Sequence, residues 1–304
     1  MTSFGGIWSD AKLKCVDDYA STYLKVFKNQ DWATQLDYVD AFAGSGLQRL
    51  KRTSGGDRTI GSLFGDAEDQ AGAREFIEGS PLRVIRTSQR ADRRFDKFIF
   101  IEANRASCDR LEARVSAEFG ASLSTEFQCG DANAFLKAYA KTYNRSTTRS
   151  LVFLDPFGCE VEWETVAALG STQACDVWYL FPLGGAIRLM TTSGQIDPVW
   201  ESALDRIFGG REWRERFYSR TVHPTLFGDD EEVTERHLST RRVVSFIQER
   251  LATEFAGVSS PAVLCNSQNS PMFALVLAVA NPSSPARKAA LDIANYLTRK
   301  LNES

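Results

Sequence analysis

Acids close four strand-like runs in this chain: Asp40, Glu102, Asp131 and Asp155. The first opens a glycine turn, Asp40-Ala41-Phe42-Ala43-Gly44-Ser45-Gly46, directly after the apolar Leu36-Asp37-Tyr38-Val39. Glycines at such a turn let the backbone bend sharply and approach a ligand that any Cβ would block. A dinucleotide fingerprint needs a third glycine three residues on, where this chain has Arg49. The turn therefore suits a different nucleotide cofactor. Glu102 ends Phe98-Ile99-Phe100-Ile101, and a carboxylate there can accept from both ribose hydroxyls of an adenosine. Asp131 suits an adenine amino group. Asp155-Pro156-Phe157-Gly158, an acid and an aromatic around a proline at a strand end, is the catalytic candidate. Taken alone, each acid also reads as a helix cap or turn residue. Taken together, four acids at parallel strand ends share the edge where α/β proteins bind ligands.

Regularly alternating elements must position these residues. Residues 10–28 read as a helix with Leu13, Val16, Tyr19, Ala20, Leu24 and Phe27 on its apolar face and Ser9 or Asp10 as cap. Strands are expected at 35–40, 98–102, 125–131, 150–155 and 176–181, with helices over 105–118, 132–143 and 161–169 between them. Ser80 and Pro81 read as cap and first residue of another helix. Residues 47–79, rich in Gly, Arg, Asp and Thr, read as an insertion. Residues 185–259 read as a mostly helical, aromatic insert or lid over the substrate end, and 260–304 as a strand hairpin and helix that complete the core. The expected organisation is an N-terminal helix (1–30), a cofactor-binding core (31–184), the insert, and the closing hairpin and helix.

Composition narrows the function classes. The chain has 304 residues, 43% hydrophobic and 25% charged, with net charge −3. That balance argues against a protein that coats nucleic acid nonspecifically. A local basic excess at Arg83, Arg86, Arg90, Arg93, Arg94 and Lys97 reads either as a solvated face or as a phosphate-contacting surface beside the site. No apolar run approaches a membrane span, and the N-terminus shows no signal-peptide pattern. The six cysteines lack C-x-x-C spacing and there are two histidines, so no metal site and no disulfide framework are expected, and a reducing cytoplasm is. His223 and His237 have no partner spacing.

The glycine turn resembles motif I of S-adenosylmethionine (SAM) methyltransferases. Asp155-Pro156-Phe157-Gly158 resembles the Asp/Asn-Pro-Pro-aromatic motif of amino-methyltransferases, with the aromatic one place earlier, and is also similar to the motif of tRNA guanine-N2 dimethyltransferases. Cytosine carbon methyltransferases place a cysteine directly after the proline; here Cys159 lies further on, a weaker candidate nucleophile. Together with Gly79-Ser80-Pro81-Leu82 and Trp178-Tyr179-Leu180-Phe181-Pro182, these segments resemble the three-Cys-motif partner proteins, best over residues 8 to 184. The resemblance implies a Rossmann-like class I methyltransferase fold: an α/β, seven-stranded, mostly parallel sheet with one antiparallel strand. It implies SAM as cofactor, on Asp40, Phe42, Gly44, Gly46, Glu102 and Asp131, and methyl transfer to an amino group at Asp155, Pro156 and Phe157. A nucleobase in tRNA or DNA is the expected target. The alternative is a noncatalytic SAM-binding subunit that docks a three-Cys-motif, radical-SAM-like protein.

Overall fold

The computed structural model describes residues 6–49, 76–120, 122–224 and 230–303. In chain order the elements are α1 (Gly6–Phe27), β1 (Gln35–Asp40), β2 (Leu47–Arg49), β3 (Phe76–Glu78), α2 (Ser80–Arg90), β4 (Lys97–Glu102), α3 (Arg105–Phe119), β5 (Thr125–Cys129), α4 (Ala132–Lys141), β6 (Thr148–Leu154), α5 (Trp163–Ser171) and β7 (Cys175–Phe181). There follow α6 (Leu183–Leu189), α7 (Pro198–Phe208), α8 (Glu212–Phe217), β8 (Tyr218–Pro224), β9 (Asp230–Arg236), α9 (Thr240–Glu254), β10 (Gly257–Val258), β11 (Ala262–Cys265), β12 (Pro271–Val279) and α10 (Ser284–Asn302). Among the described residues the main sheet has eight strands, in the order β10-β12-β7-β6-β1-β4-β5, with β11 also on β12. β1, β4, β5, β6 and β7 run parallel, and β12 runs antiparallel to β7. This is a Rossmann-like α/β arrangement: a mostly parallel sheet with helices on both faces.

Both faces of the sheet are covered, which is why its central strands carry near-continuous apolar runs. One face presents Tyr38, Phe98, Phe100, Phe153, Trp178 and Leu277 to α1, α2, α3 and α10. The other presents Val39, Ile99, Val152, Val177 and Val276 to α4, α5, α7, α8 and α9. Trp178 is fully buried and meets Tyr19 of α1 edge-on at 5.5 Å.

Several expectations change in the folded chain. Only the ends of the 47–79 insertion, β2 and β3, lie within the described residues, paired antiparallel. The 185–259 segment is not helical throughout: β8 and β9 form an antiparallel hairpin. Thr221-Val222 and Val233-Thr234 are β-branched pairs that favour strand over helix. Its aromatic residues Phe208, Trp213, Phe217 and Phe246 are buried in the core. Two short strands, not one, pair with the far side of β12. Between them buried Ser259 bonds Leu277 through its own N–H and its hydroxyl oxygen, bridging the gap.

A disulfide joins Cys108 to Cys129, where none was expected. The two are 21 residues apart with no motif spacing, and the packing of α3 on β5 brings their Cα atoms to 6.0 Å. No helix among the described residues is long and apolar enough to cross a membrane.

Trp178→Ala should cost about 3–5 kcal/mol of unfolding free energy, because the site cannot collapse between a sheet and a helix. Tyr296→Ala, at an exposed position of α10, should cost less than about 0.5 kcal/mol in the same denaturation experiment. Thiol titration of the denatured, unreduced chain should count four free cysteines. Reduction should lower stability by about 3 kcal/mol, the loop-closure contribution of a ring this size.

Candidate functional site

Asp40, Glu102, Asp131 and Asp155 all lie at the carboxyl edge of the parallel strands, at or just beyond the ends of β1, β4, β5 and β6. Asp40 is the deepest, 0% exposed. Its Oδ1 accepts from the Phe42 N–H at 3.4 Å, and its Oδ2 is buried with no hydrogen-bond partner. Burial pushes its carboxyl up to about 7; the Ser80 hydroxyl and the Lys12 ammonium pull the other way, and the Asp155 carboxylate adds to the rise. α2 starts with Gly79 as its cap and no side-chain cap bond, so Ser80 is not the cap expected from sequence. Its hydroxyl faces Asp40 instead.

The turn after Asp40 is held from both sides. Ala41 donates to Phe153 O and Ala43 to Ile101 O, each at 3.0 Å. Gly44 and Gly46 have φ +62° and +78°, left-handed conformations that other residues adopt at a cost. A Cβ on Gly44 would meet nothing within 4 Å, so the space above the turn is open. Phe42 is half-buried against the core.

Glu102 is tied to the same turn. Its Oε2 accepts from Gly44 N–H at 2.9 Å and its Oε1 from Asn104 N–H at 2.7 Å. Asp131 caps α4, its Oδ1 accepting from Asn133 and Ala134 N–H at 2.7 and 3.0 Å. Both acids thus play the structural role that each could have played alone. Each carboxylate offers about four lone-pair directions, so these bonds leave capacity for a ligand.

Asp155 and Phe157 differ sharply in setting. Asp155 has an 11% exposed side chain, Pro156 is buried, and Phe157 is 60% exposed. The loop beyond is anchored by Asn133, which bonds Glu160 O, Glu162 N–H and the Thr165 hydroxyl, and by Arg206, which donates to Cys159 O at 3.0 Å. Cys159 is 5% exposed and burial pushes its thiol up to about 12, so it is no thiolate nucleophile near neutral pH.

The residue missed in the sequence is Lys12. Its Nζ donates to Asp155 Oδ1 at 2.7 Å and to Oδ2 at 2.5 Å. A detectable signal exists: Lys12 stands four residues before Val16 and seven before Tyr19, on the buried stripe of α1.

The basic stretch 83–97 begins beside the site but runs away from it. α2 starts beside the glycine turn, with Gly79 N–H on Gly46 O, and runs back toward the opposite edge, where β4 begins. Arg83, Arg86, Arg93 and Lys97 pair with Asp10, with Glu78 and Glu118, with Asp96 and with Glu126. Arg90 and Arg94 are exposed near the foot of the sheet. His237 is exposed and shares a 2.7 Å hydrogen bond with the Ser219 hydroxyl, while the His223 side chain lies outside the described residues. No group of three or more potential metal ligands occurs among the described residues.

No family model and no curated protein sequence matches the chain. Solved structures with a similar arrangement include a Legionella pneumophila protein at 13% identity, covering 95% of this chain and 92% of that one, TM-score 0.40. Trm1 from Pyrococcus horikoshii, solved with S-adenosyl-L-methionine, is 9% identical and covers 96% and 75%, TM-score 0.37. A SAM-dependent methyltransferase from Clostridium acetobutylicum is 7% identical and covers 86% and 91%, TM-score 0.34. At these values the likeness bears on no residue of the site, and the chemistry rests on the chain's own geometry.

The buried acids make stability pH-dependent. Asp40 is raised to about 7 and Asp176 to about 6, both chiefly by burial, so the folded chain binds protons that the unfolded chain has released. Their favourable contribution is complete below about pH 4 and is lost as pH rises through 6–7. Asp40→Asn should remove up to about 4 kcal/mol of that fall, read from denaturation midpoints between pH 4 and 8.

Proposed function

We propose that the chain transfers a methyl group from SAM to an amino group, most naturally the exocyclic amine of a nucleobase in RNA or DNA. One observation carries the reading. Four acids converge on the carboxyl edge around an open, positive-φ glycine turn, next to an anchored Asp-Pro step with an exposed aromatic. The residues suit the cofactor: an open cradle at Gly44, an unpartnered buried oxygen on Asp40, and Glu102 and Asp131 with spare acceptor capacity. Glu102 would take the ribose hydroxyls, Asp131 the adenine amine, and the turn with Asp40 and Phe42 the amino-acid end. When bound, SAM supplies a methyl carbon to an acceptor lone pair and leaves as a neutral thioether, so the acceptor sheds one proton. Asp155 would accept a hydrogen bond from the target N–H and orient its lone pair, and Phe157 would stack on the ring. Placement of this kind can supply much of the rate.

One observation favours a second reading, a noncatalytic SAM-binding subunit that docks a three-Cys-motif, radical-SAM-like protein. Both Asp155 oxygens are already engaged by Lys12. Purified protein incubated with methyl-labelled SAM and total tRNA, DNA or nucleosides separates the two. Label in a nucleobase supports the enzyme, and SAM binding without transfer supports the subunit.

Calorimetry should show one SAM site per chain in the micromolar range, about −8 kcal/mol. Glu102→Gln should weaken it by about 1–3 kcal/mol through loss of an ionised acceptor; unchanged affinity would remove Glu102 from the site. Asp155→Ala and Phe157→Ala should hold SAM affinity within about a few-fold yet lose most transfer, the pattern of groups that act on the acceptor. Parental turnover in Asp155→Ala would exclude the catalytic role.

A further inference from the structure

Lys12 belongs to α1 yet its ammonium ends inside the site, on both Asp155 oxygens, with its side chain 4% exposed. A buried ammonium persists only where it is paired and hydrogen-bonded. A second carboxylate stands on the neighbouring strand: Asp40 pairs with Phe153, two residues before Asp155, and its Oδ2 is buried without a hydrogen-bond partner. The charges act on one another, Asp155 raising the Asp40 carboxyl and Lys12 lowering it. The other groups acting on Asp40 are the Ser80 hydroxyl of α2 and the Phe42 N–H. On its own strand, burial holds the Tyr38 phenol far above its ordinary range, with Asp40, Asp17 and Asp155 adding to the effect. Glu102 of β4 directs its oxygens to Gly44 and Asn104 N–H. In this set Lys12 is the cation.

We propose that Lys12 is the positioning residue of the site: a cation delivered by the N-terminal helix that holds Asp155 as an oriented acceptor beside Asp40. This rests on the methyl-transfer reading. Lys12 takes one direction on each Asp155 oxygen, and the remaining lone pairs can receive one more donor. The proton shed by the acceptor nitrogen, as its lone pair forms the new C–N bond, passes to the Asp155 carboxylate and on to water.

The coupling can be read without any ligand, by carbon-13 NMR titration of the aspartate carboxyls in the full chain, with Asp40 assigned through Asp40→Asn. Asp40 should titrate near pH 7 in the parent. Lys12→Met should raise that midpoint by about one pH unit or more, Lys12→Arg should leave it close to the parent, and Asp155→Asn should lower it. An unmoved midpoint in Lys12→Met overturns the proposal. If that variant does not fold, an unmoved midpoint in Asp155→Asn does so. In transfer assays with labelled SAM, Lys12→Met should lose about 100-fold or more at pH 7 and recover as pH rises, since Asp40 without its compensating cation must re-ionise. A loss uniform across pH reduces Lys12 to a structural clasp. If the parent binds no SAM, the methyl-transfer reading falls, while the carboxyl titration still decides whether Lys12 couples the two acids.

Discussion

The ion pair between Lys12 and Asp155 ties the N-terminal helix to the carboxyl edge of the sheet. It is not a stabilising device in any simple sense, because the desolvation of two charges can exceed what their attraction returns. Its consequence is positional. α1 lies along one face of the sheet, and Tyr19 on the same helix donates to Asp176 Oδ2 at 2.7 Å, where β7 begins. Two polar contacts, one at the carboxyl edge and one at the opposite edge, fix the helix along the strand direction. The apolar stripe between them supplies the burial.

The acids at the carboxyl edge each serve two purposes. Glu102 pins Gly44 and Asn104, Asp131 caps α4, and Asp155 receives Lys12. A carboxylate that already accepts from rigid backbone donors has its orientation set before any ligand arrives. Preorganisation of this kind lowers the ordering cost of binding. Asp40 differs: one oxygen is buried without a partner, and burial keeps its carboxyl near neutrality in pH terms. A fold leaves a buried polar atom unpaired at a cost, which makes Asp40 the place where a ligand donor would be most favourable.

The glycine turn shows how local and distant constraints meet. Gly44 and Gly46 need left-handed backbone, a property of the turn alone. Gly79 needs its missing side chain for a tertiary reason: a Cβ there would come within 3.1 Å of the Gly46 carbonyl. The start of α2 is thus docked on the turn, and this contact sends α2 away from the site and carries the arginines of its far end toward the opposite edge.

Much of this protein was legible in its sequence. Apolar runs, four of them ending in acids, marked β1, β4, β5, β6 and β7, and their alternation with helical periodicity implied the parallel sheet. The reason is that strand burial on two faces and helix burial on one leave different periodicities in the chain. The glycine turn was equally plain, because a positive φ selects glycine locally. What only tertiary structure decided were the events between distant residues. Lys12 reads in sequence as a charge on an amphipathic helix, and only the docking of α1 brings it onto Asp155, 143 residues away. The disulfide between Cys108 and Cys129 depends on how α3 packs against β5. The hairpin of β8 and β9 took the place of helix because cross-strand pairing, a contact between segments, outweighs the weak local preference of each.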